Sequence, residues 1–177
     1  MSKYYSLLIL SFLLSNAYAI QIQPIVGFEK VQKSTPSEHS RSRLIYGARL
    51  LVGPKILSVE TEVTTGHDSE TFAAQNLTIK ETAYNGMLGL RSSFDLLLLN
   101  FYVRAGGHIR KRETETTTNG VMVKETPASY VSPYAGGGIS IGAGPLQAIA
   151  GVTAIFIGKP ASSDIEYQYT LGLGLGF

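Results

Sequence analysis

Cysteine and tryptophan are both absent from this sequence of 177 residues. Without cysteine, neither disulfide bonds nor thiol chemistry can contribute to the fold or to a reaction. An excess of one charge is also lacking, because 15 basic side chains stand against 13 acidic ones, or 14 against 13 without Lys3. This balance offers no electrostatic case for a nucleic-acid partner.

Long apolar runs are scarce, and the one candidate lies at the start of the chain. Residues 1–19 carry a basic Lys3, an apolar stretch from Leu7 to Leu14, and a small-x-small motif at Ala17 and Ala19. This layout is typical of a secretory signal peptide, since a membrane helix needs about 20 apolar residues. We predict cleavage after Ala19, which leaves residues 20–177 as one domain. An uncleaved membrane anchor is the alternative.

What the sequence contains throughout is an alternation of apolar and polar residues, which is the period of β-strands. In the last segment, one face carries Ile165, Tyr167, Tyr169, Leu171, Leu173, Leu175 and Phe177. Seven further segments alternate in the same way, at residues 20–31, 43–53, 57–66, 83–93, 96–110, 129–144 and 147–158. The pattern leaves open which face of segment 147–158 points inward. Pro24 counts against a perfect ladder in the first segment, because proline cannot donate a hydrogen bond.

The connections between these eight predicted strands alternate between short and long. The short ones are 53–55, 92–95 and 142–145; the longer polar ones are about 33–42, 66–80, 111–126 and 159–164. Such alternation places every short connection, and both chain ends, at one end of a closed antiparallel sheet. Asn119 and Gly120 predict a two-residue hairpin turn, because that turn needs positive φ at both positions. A ribbon would then protrude beyond the sheet; a disordered loop is the alternative.

The polar face of the predicted strands mixes charges of both signs with many small residues. A soluble barrel turns its apolar face inward and a membrane barrel turns it outward, so the small and charged residues favour a narrow polar lumen. Pairing inside that lumen would offset part of the cost of burying charge. The predicted network consists of Glu29, Arg43, Arg49, Glu60, Glu62, Arg91, Arg104 and Glu166. Solvated positions at the rims are the alternative for several of them.

The signal peptide, the eight alternating segments and the closing YTLGLGLGF together resemble the small eight-stranded outer-membrane β-barrels, OmpA-like or OmpX-like. The resemblance implies an all-β fold: a closed eight-stranded antiparallel transmembrane β-barrel with up-and-down topology. It implies a bacterial outer membrane, with both termini periplasmic and with lipid and lipopolysaccharide as surroundings. It also implies a C-terminal signal for the barrel-assembly machinery, made of Tyr169, Leu171, Leu173, Leu175 and Phe177.

The function implied by the resemblance is that of a non-enzymatic envelope protein whose outer loops contact an extracellular protein or host surface. One alternative is a small-solute channel, which would need an unpaired, hydrated lumen. Another is a lipid A-modifying enzyme, for which His67 and Ser69 could supply base and nucleophile. His39, His67 and His108 are too dispersed for metal-ligand spacing, and no cofactor is predicted.

Overall fold

The alternating segments form long antiparallel strands in the computed structural model, which describes residues 19–33, 37–96, 99–143, 145–159 and 162–176. The strands are β1 (Ala19–Lys33), β2 (His39–Gly53), β3 (Ser58–Phe72), β4 (Leu77–Leu96), β5 (Leu99–Thr118), β6 (Val121–Glu125), β7 (Tyr130–Ala143), β8 (Leu146–Lys159) and β9 (Ser162–Gly176). A short 3₁₀ turn covers Ala73–Gln75. Within these ranges no helix is long and apolar enough to cross a membrane.

The sheet closes on itself because β1 pairs with both β2 and β9. Eight strands form the ring in the order β1-β2-β3-β4-β5-β7-β8-β9, while β6 pairs, among the described residues, with β5 alone. Following the paired residues once around from Ile20 leads to Lys30, ten residues further along β1. The path runs through Val52, Val59, Leu90, Ala105, Ala135, Ala154 and Tyr167. A shift of this size around eight strands corresponds to strands tilted by about 40°.

The outer surface of the ring is apolar and its interior is charged. Phe28, Val63 and Leu88 are 58, 64 and 63 % exposed, whereas the charged side chains of the alternate positions are buried. On β4, the outward-facing Tyr84 and Phe94 lie ten residues apart, about 26 Å along the axis of a tilted strand, which matches the ~25 Å apolar band of membrane barrels. The chain is therefore a closed eight-stranded transmembrane β-barrel, and the predicted fold class is confirmed.

The two ends of the barrel differ strongly. One end, the terminal rim, contains the start of β1, the end of β9, and a stacked pair of Phe94 and Phe101 with ring centroids 5.8 Å apart. At the opposite end, the flap rim, four strands rise beyond the ring. We call this projection the flap; it comprises residues 68–72 of β3, 77–82 of β4, 112–118 of β5 and all of β6. Tyr46, Tyr84 and Tyr167 lie on the outer surface near this rim.

The predicted turn at residues 92–95 is wrong. These residues belong to β4 and pair with β5, Ser92 opposite Val103 and Asp95 opposite Asn100. The serines and the aspartate suggested a turn, but cross-strand contacts outweigh that local preference. Phe94 stacks on Phe101, and Asn100 donates a hydrogen bond of 2.8 Å to Asp95.

The predicted connection at residues 66–80 is also much shorter than expected. β3 continues to Phe72 and β4 begins at Leu77, with Asn76 in the left-handed region at φ 46°. The apolar alternation stops near Gly66, but the pairing does not, because a strand above the membrane needs no lipid-facing apolar side. The extension therefore lacks the hydrophobic signature by which strands are recognised.

The remaining expectations concern the hairpin, segment 147–158 and Pro24. Asn119 and Gly120 adopt φ of 50° and 82° between β5 and β6. In β8, Thr153 and Ile155 point inward and Val152 points outward. The ladder from β1 to β9 is interrupted between Ile22 and Ile25, across Pro24, while Pro24 keeps its place opposite Ala48 of β2. Ala17, Phe177 and the body of the predicted signal peptide lie outside the described residues.

Bulky tyrosines and inward-facing glycines fit together inside the ring. The hydroxyl of Tyr134 lies against Gly89, and the ring and hydroxyl of Tyr102 cover Gly138. A Cβ atom on Gly89 would collide with the Tyr134 hydroxyl and with the carbonyl oxygen of Ala105. By contrast, a Cβ on Gly107 would meet only a methyl group of Val131 at 3.7 Å. Glycine is thus a steric requirement at 89 but not at 107.

We expect Gly89→Ala to destabilise the folded barrel by about 1–3 kcal/mol, the usual cost of overpacking a filled interior. Gly107→Ala is the matched control and should be neutral or slightly stabilising, because alanine restricts the unfolded chain. Urea unfolding of the lipid-reconstituted protein measures both. Equal midpoints for the two variants would contradict the requirement for glycine at 89.

Candidate functional site

The polar residues predicted for the lumen all point into the barrel. Each of their side chains is at most 2 % exposed, and Arg110 and Glu81 join them. Six strands contribute members, since β1, β2, β3, β4, β5 and β9 each present a charge on their inward face. The arginines are Arg43, Arg49, Arg91, Arg104 and Arg110; the glutamates are Glu29, Glu60, Glu62, Glu81 and Glu166. Opposite charges are therefore balanced within the lumen.

The layer nearer the terminal rim places three guanidinium groups around two carboxylates. Arg104 donates from Nη1 to Glu60 Oε1 and to Glu62 Oε2, each at 2.6 Å. Arg49 Nε donates to Glu62 Oε2 at 2.9 Å. Arg91 Nη1 lies 3.5 Å from Glu60 Oε2, and its guanidinium sits 3.6 Å from the centre of the Tyr102 ring. The tyrosine face offers a cation–π contact to Arg91, the arginine whose nearest carboxylate oxygen is the most distant in this layer.

The layer nearer the flap rim is centred on Glu29. Arg43 Nη2 donates to Glu29 Oε2 at 2.6 Å, and Arg110 binds the other oxygen of the same carboxylate. Arg110 Nη1 also contacts Glu166 Oε2 at 2.5 Å, and Arg43 Nη1 contacts Glu81 Oε1 at 2.5 Å. Because every charge in this layer has an opposite partner, part of the cost of removing it from water is offset.

Neutral polar side chains form hydrogen bonds with each of the two layers. Gln168 Nε2 donates to Glu62 Oε1 at 3.1 Å, and Arg110 Nε donates to Asn85 Oδ1 at 2.8 Å. His108 Nε2 lies 3.2 Å from the same Asn85 oxygen. Together with the two charged layers, these residues line the lumen with buried polar side chains. Eight strands enclose a space only just wide enough for such side chains.

Arg110 and Glu81 were omitted from the sequence-based network, although a signal for each existed. Arg110 shares its inward position with Arg104 on β5, six residues away. Glu81 shares the inward side of β4 with Asn85 and Arg91, but it bordered a segment interpreted as a loop. Arg110 already lies on the polar face of the predicted strand 96–110, and extending the alternation two residues upstream of Ala83 reaches Glu81.

A second charged group, the mouth cluster, lies above the network at the flap rim and was also missed. It consists of Lys33 on β1, His39 and Arg41 on β2, and Asp68 and Glu70 on β3. Lys33 Nζ is 2.6 Å from Asp68 Oδ2 and 2.8 Å from Glu70 Oε1. His39 Nε2 is 2.9 Å from Glu70 Oε2. No alternation of apolar and polar residues extends over these positions, which are therefore predicted to be connections.

His67 and Ser69 lie on the outer surface of β3, along a cavity of about 400 Å³ that also includes Thr82. Nucleophilic catalysis would need the imidazole within hydrogen-bond reach of the serine hydroxyl. The described partner of His67 is a different hydroxyl, since its Nδ1 lies 3.0 Å from Thr82 Oγ1. Within the described ranges, no group of three or more His, Cys, Asp or Glu side chains is arranged to hold a metal ion.

The predicted C-terminal signal occupies the outer face of β9. Tyr169, Leu171, Leu173 and Leu175 are all exposed on the apolar surface, whereas Phe177 lies outside the described residues. Gly172 and Gly174 alternate with the leucines on the inward side. The alternation therefore separates a lipid-facing row from a row of small residues at the lumen wall.

Comparison with known proteins finds the same architecture at low sequence identity. Neisserial surface protein A (NspA) superposes with a TM-score of 0.63 at 14 % identity, covering 90 % of this chain and 99 % of that one. Ail, the attachment invasion locus protein of Yersinia pestis, in complex with the heparin analogue sucrose octasulfate, gives 0.61 at 12 %, covering 90 % and 99 %. The fold is that of the small outer-membrane β-barrels.

The N-terminal β-barrel domain of Pseudomonas aeruginosa OprF gives a TM-score of 0.59 at 15 % identity, covering 90 % of this chain and 98 % of that domain. No protein-family model matches the sequence, and no curated protein matches it either. At identities of 12–15 % the likeness concerns the fold alone. The predicted resemblance to small outer-membrane barrels is thus confirmed at the level of architecture.

We expect Arg104→Met to destabilise the barrel by about 3–5 kcal/mol, because it leaves Glu60 and Glu62 short of a buried partner. The matched control is Asp95→Asn, which breaks the exposed 3.1 Å pair with Lys55 and should change stability by no more than about 1 kcal/mol. Urea unfolding of the reconstituted protein compares the two. A loss for Arg104→Met no larger than that of the control would contradict the structural role of the network.

Proposed function

We propose that this chain is a non-enzymatic protein of the bacterial outer membrane, with a lumen plugged by ion pairs and with its activity on the outer surface. The observation that carries the proposal is the pair of charged layers across the lumen. An open channel needs hydrated, mobile side chains around a continuous water path, whereas here each arginine of the network contacts at least one carboxylate. The paired and buried charges favour a plug over a small-solute pore.

Planar-bilayer recording tests the plug. We expect the wild-type protein to show no large steady conductance, because the paired side chains plug the lumen. The double variant Glu62→Ala/Arg104→Ala removes a pair together, which leaves fewer unpaired charges, and it should raise conductance. Asp95→Asn is the control and should behave as wild type. A large, stable wild-type conductance would contradict the plug and support the channel alternative.

The location rests on the fold, the apolar band and the predicted leader. We propose that residues 1–19 are removed as a signal peptide and that residues 20–177 enter the outer membrane with both termini periplasmic. The row of Tyr169, Leu171, Leu173, Leu175 and Phe177 would then be the signal for the barrel-assembly machinery.

Fractionation of cells should recover the protein in the outer membrane beginning at Ile20. Phe177→Ala should lower the fraction of folded protein, measured as the fraction whose gel migration changes on heating. An unchanged folded fraction would contradict the role of this row as an assembly signal.

The same orientation would put the flap outside the cell, where it presents an open strand edge. In the part of the chain that the structure describes, β6 pairs with β5 on one side only, and Val121, Met122 and Val123 are 66, 65 and 50 % exposed. An unpaired edge with apolar side chains can add a strand from another protein. We therefore propose that the flap binds an extracellular protein or host surface; the fold shared with an attachment invasion locus protein is compatible with this role.

Deletion of residues 114–124 tests the binding role. We expect weaker binding to cells or extracellular matrix, because the deletion removes β6 and its pairing partner on β5. The point variant Val123→Pro disturbs the β6 edge alone and should weaken binding in the same direction. Heat-modifiable migration of both variants would establish that the barrel still folds. Unchanged binding by folded variants would contradict the role of the flap. A separate assay of lipid A in expressing cells tests the enzymatic alternative, which deacylated lipid A would favour.

A further inference from the structure

The backbone pairing between β2 and β3 stops where the flap begins. The last paired residues are Leu44 and His67, although β2 begins five residues earlier at His39 and β3 continues to Phe72. On its other side, β3 remains paired with β4 all the way to Phe72 opposite Leu77. Within the flap, β3 is thus hydrogen-bonded to β4, whereas the other edge of β3 has separated from β2.

Side chains of the mouth cluster bridge this separation. From the barrel side, Lys33 contacts Asp68 and Glu70, and Arg41 Nε lies 3.3 Å from Asp68 Oδ1. His39 contacts Glu70 at 2.9 Å, and its ring lies edge-on to Phe72 with centroids 6.2 Å apart. Two cationic groups and the imidazole of His39 on the wall thereby meet two carboxylates of the flap at the position where the backbone ladder is missing.

We infer that the mouth cluster is an electrostatic latch that holds the β3 edge of the flap against the barrel and releases it when its charges are neutralised. Beyond His67, β3 is joined to β2 by side chains alone within the described contacts. Release would move the flap and uncover the backbone edge of residues 68–72. The latch stands independently of adhesion; its effect on a binding partner rests on the proposed function.

The charges that face the latch come from five strands. Besides the cluster itself, Glu81 of β4 lies 4.0 Å from Lys33 Nζ, and Arg43 of β2 and Arg112 of β5 bind the same Glu81. Glu81 is therefore neutralised from the lumen side. This leaves Asp68 and Glu70 as the carboxylates that depend on Lys33, His39 and Arg41.

Two titrations bound the range in which the latch is closed. Burial tends to raise the pKa of Asp68, but the hydrogen bond and charge of Lys33 outweigh it and hold the pKa below its usual value. The hydrogen bond to the Ser37 carbonyl and the contact with Glu70 raise the pKa of His39. The latch should therefore weaken as pH falls through the lowered pKa of Asp68, and partly as pH rises through the raised pKa of His39. The alkaline loss is partial because Lys33 stays charged.

Spin-label electron paramagnetic resonance on the full chain in lipid tests the latch. The absence of cysteine makes Ser40→Cys and Thr71→Cys unique labelling sites. Both positions are exposed, and continuation of the β2–β3 register places them opposite each other across the gap. We expect strong dipolar broadening between the two pKa values and loss of most of it at acid pH. In Asp68→Asn/Glu70→Gln the broadening should be lost at every pH.

Two controls separate release of the latch from unfolding. Labels at Ser69→Cys and Lys80→Cys, which are paired residues of β3 and β4, should remain broadened under all conditions. Asp95→Asn should leave the Ser40/Thr71 signal unchanged, since its ion pair lies at the terminal rim. His39→Gln should abolish only the alkaline decline. Equal broadening in wild type and in Asp68→Asn/Glu70→Gln would overturn the latch, and an alkaline decline that persists in His39→Gln would overturn the role of His39.

Discussion

The ladder between β1 and β9 is the contact on which the rest of the structure depends. A membrane offers no water to an unpaired backbone group, so a sheet can span it only when its first and last strands pair. In this chain that closure is achieved with a shift of ten residues, which sets both the tilt of the strands and the width of the lumen. The interruption at Pro24 shows that the closing ladder tolerates a local gap as long as pairing resumes on both sides.

Closure of the ring sets the width of the lumen, and that width explains why the inward positions combine long charged residues with small ones. A ring of eight strands leaves a narrow space, into which long charged side chains fit only if other wall positions are small. Tyr134 over Gly89 and Tyr102 over Gly138 are examples of this compensation. The balanced charges follow from the same confinement, because an unpaired guanidinium or carboxylate would be costly at this depth. Five arginines and five glutamates of the nearly balanced sequence are therefore paired within the lumen.

The flap follows a different rule because it lies beyond the membrane. The flap segments of β3, β4 and β5 lack an apolar outer row. The β3 segment is held by backbone pairing on the β4 side and by ion pairs on the β2 side. Polar side chains can reach water there, so the ends of these strands are set by side-chain contacts and not by the thickness of the lipid. This difference accounts for the incorrect assignment of residues 66–80 to a connection: the apolar pattern marks the membrane segment of a strand and says little about where the strand ends.

The sequence by itself determined the number of ring strands, the lipid-facing rows and the inward positions of the eight predicted charges. These depend on a period of two, which is a property of the extended backbone and can be recognised without knowing any partner. Only the tertiary structure decided which charges meet. Arg110 and Glu29 lie 81 residues apart, and Gln168 and Glu62 lie 106 apart. The shear of the closed ring brings these residues together, and no local pattern encodes a relation that arises only when the last strand pairs with the first.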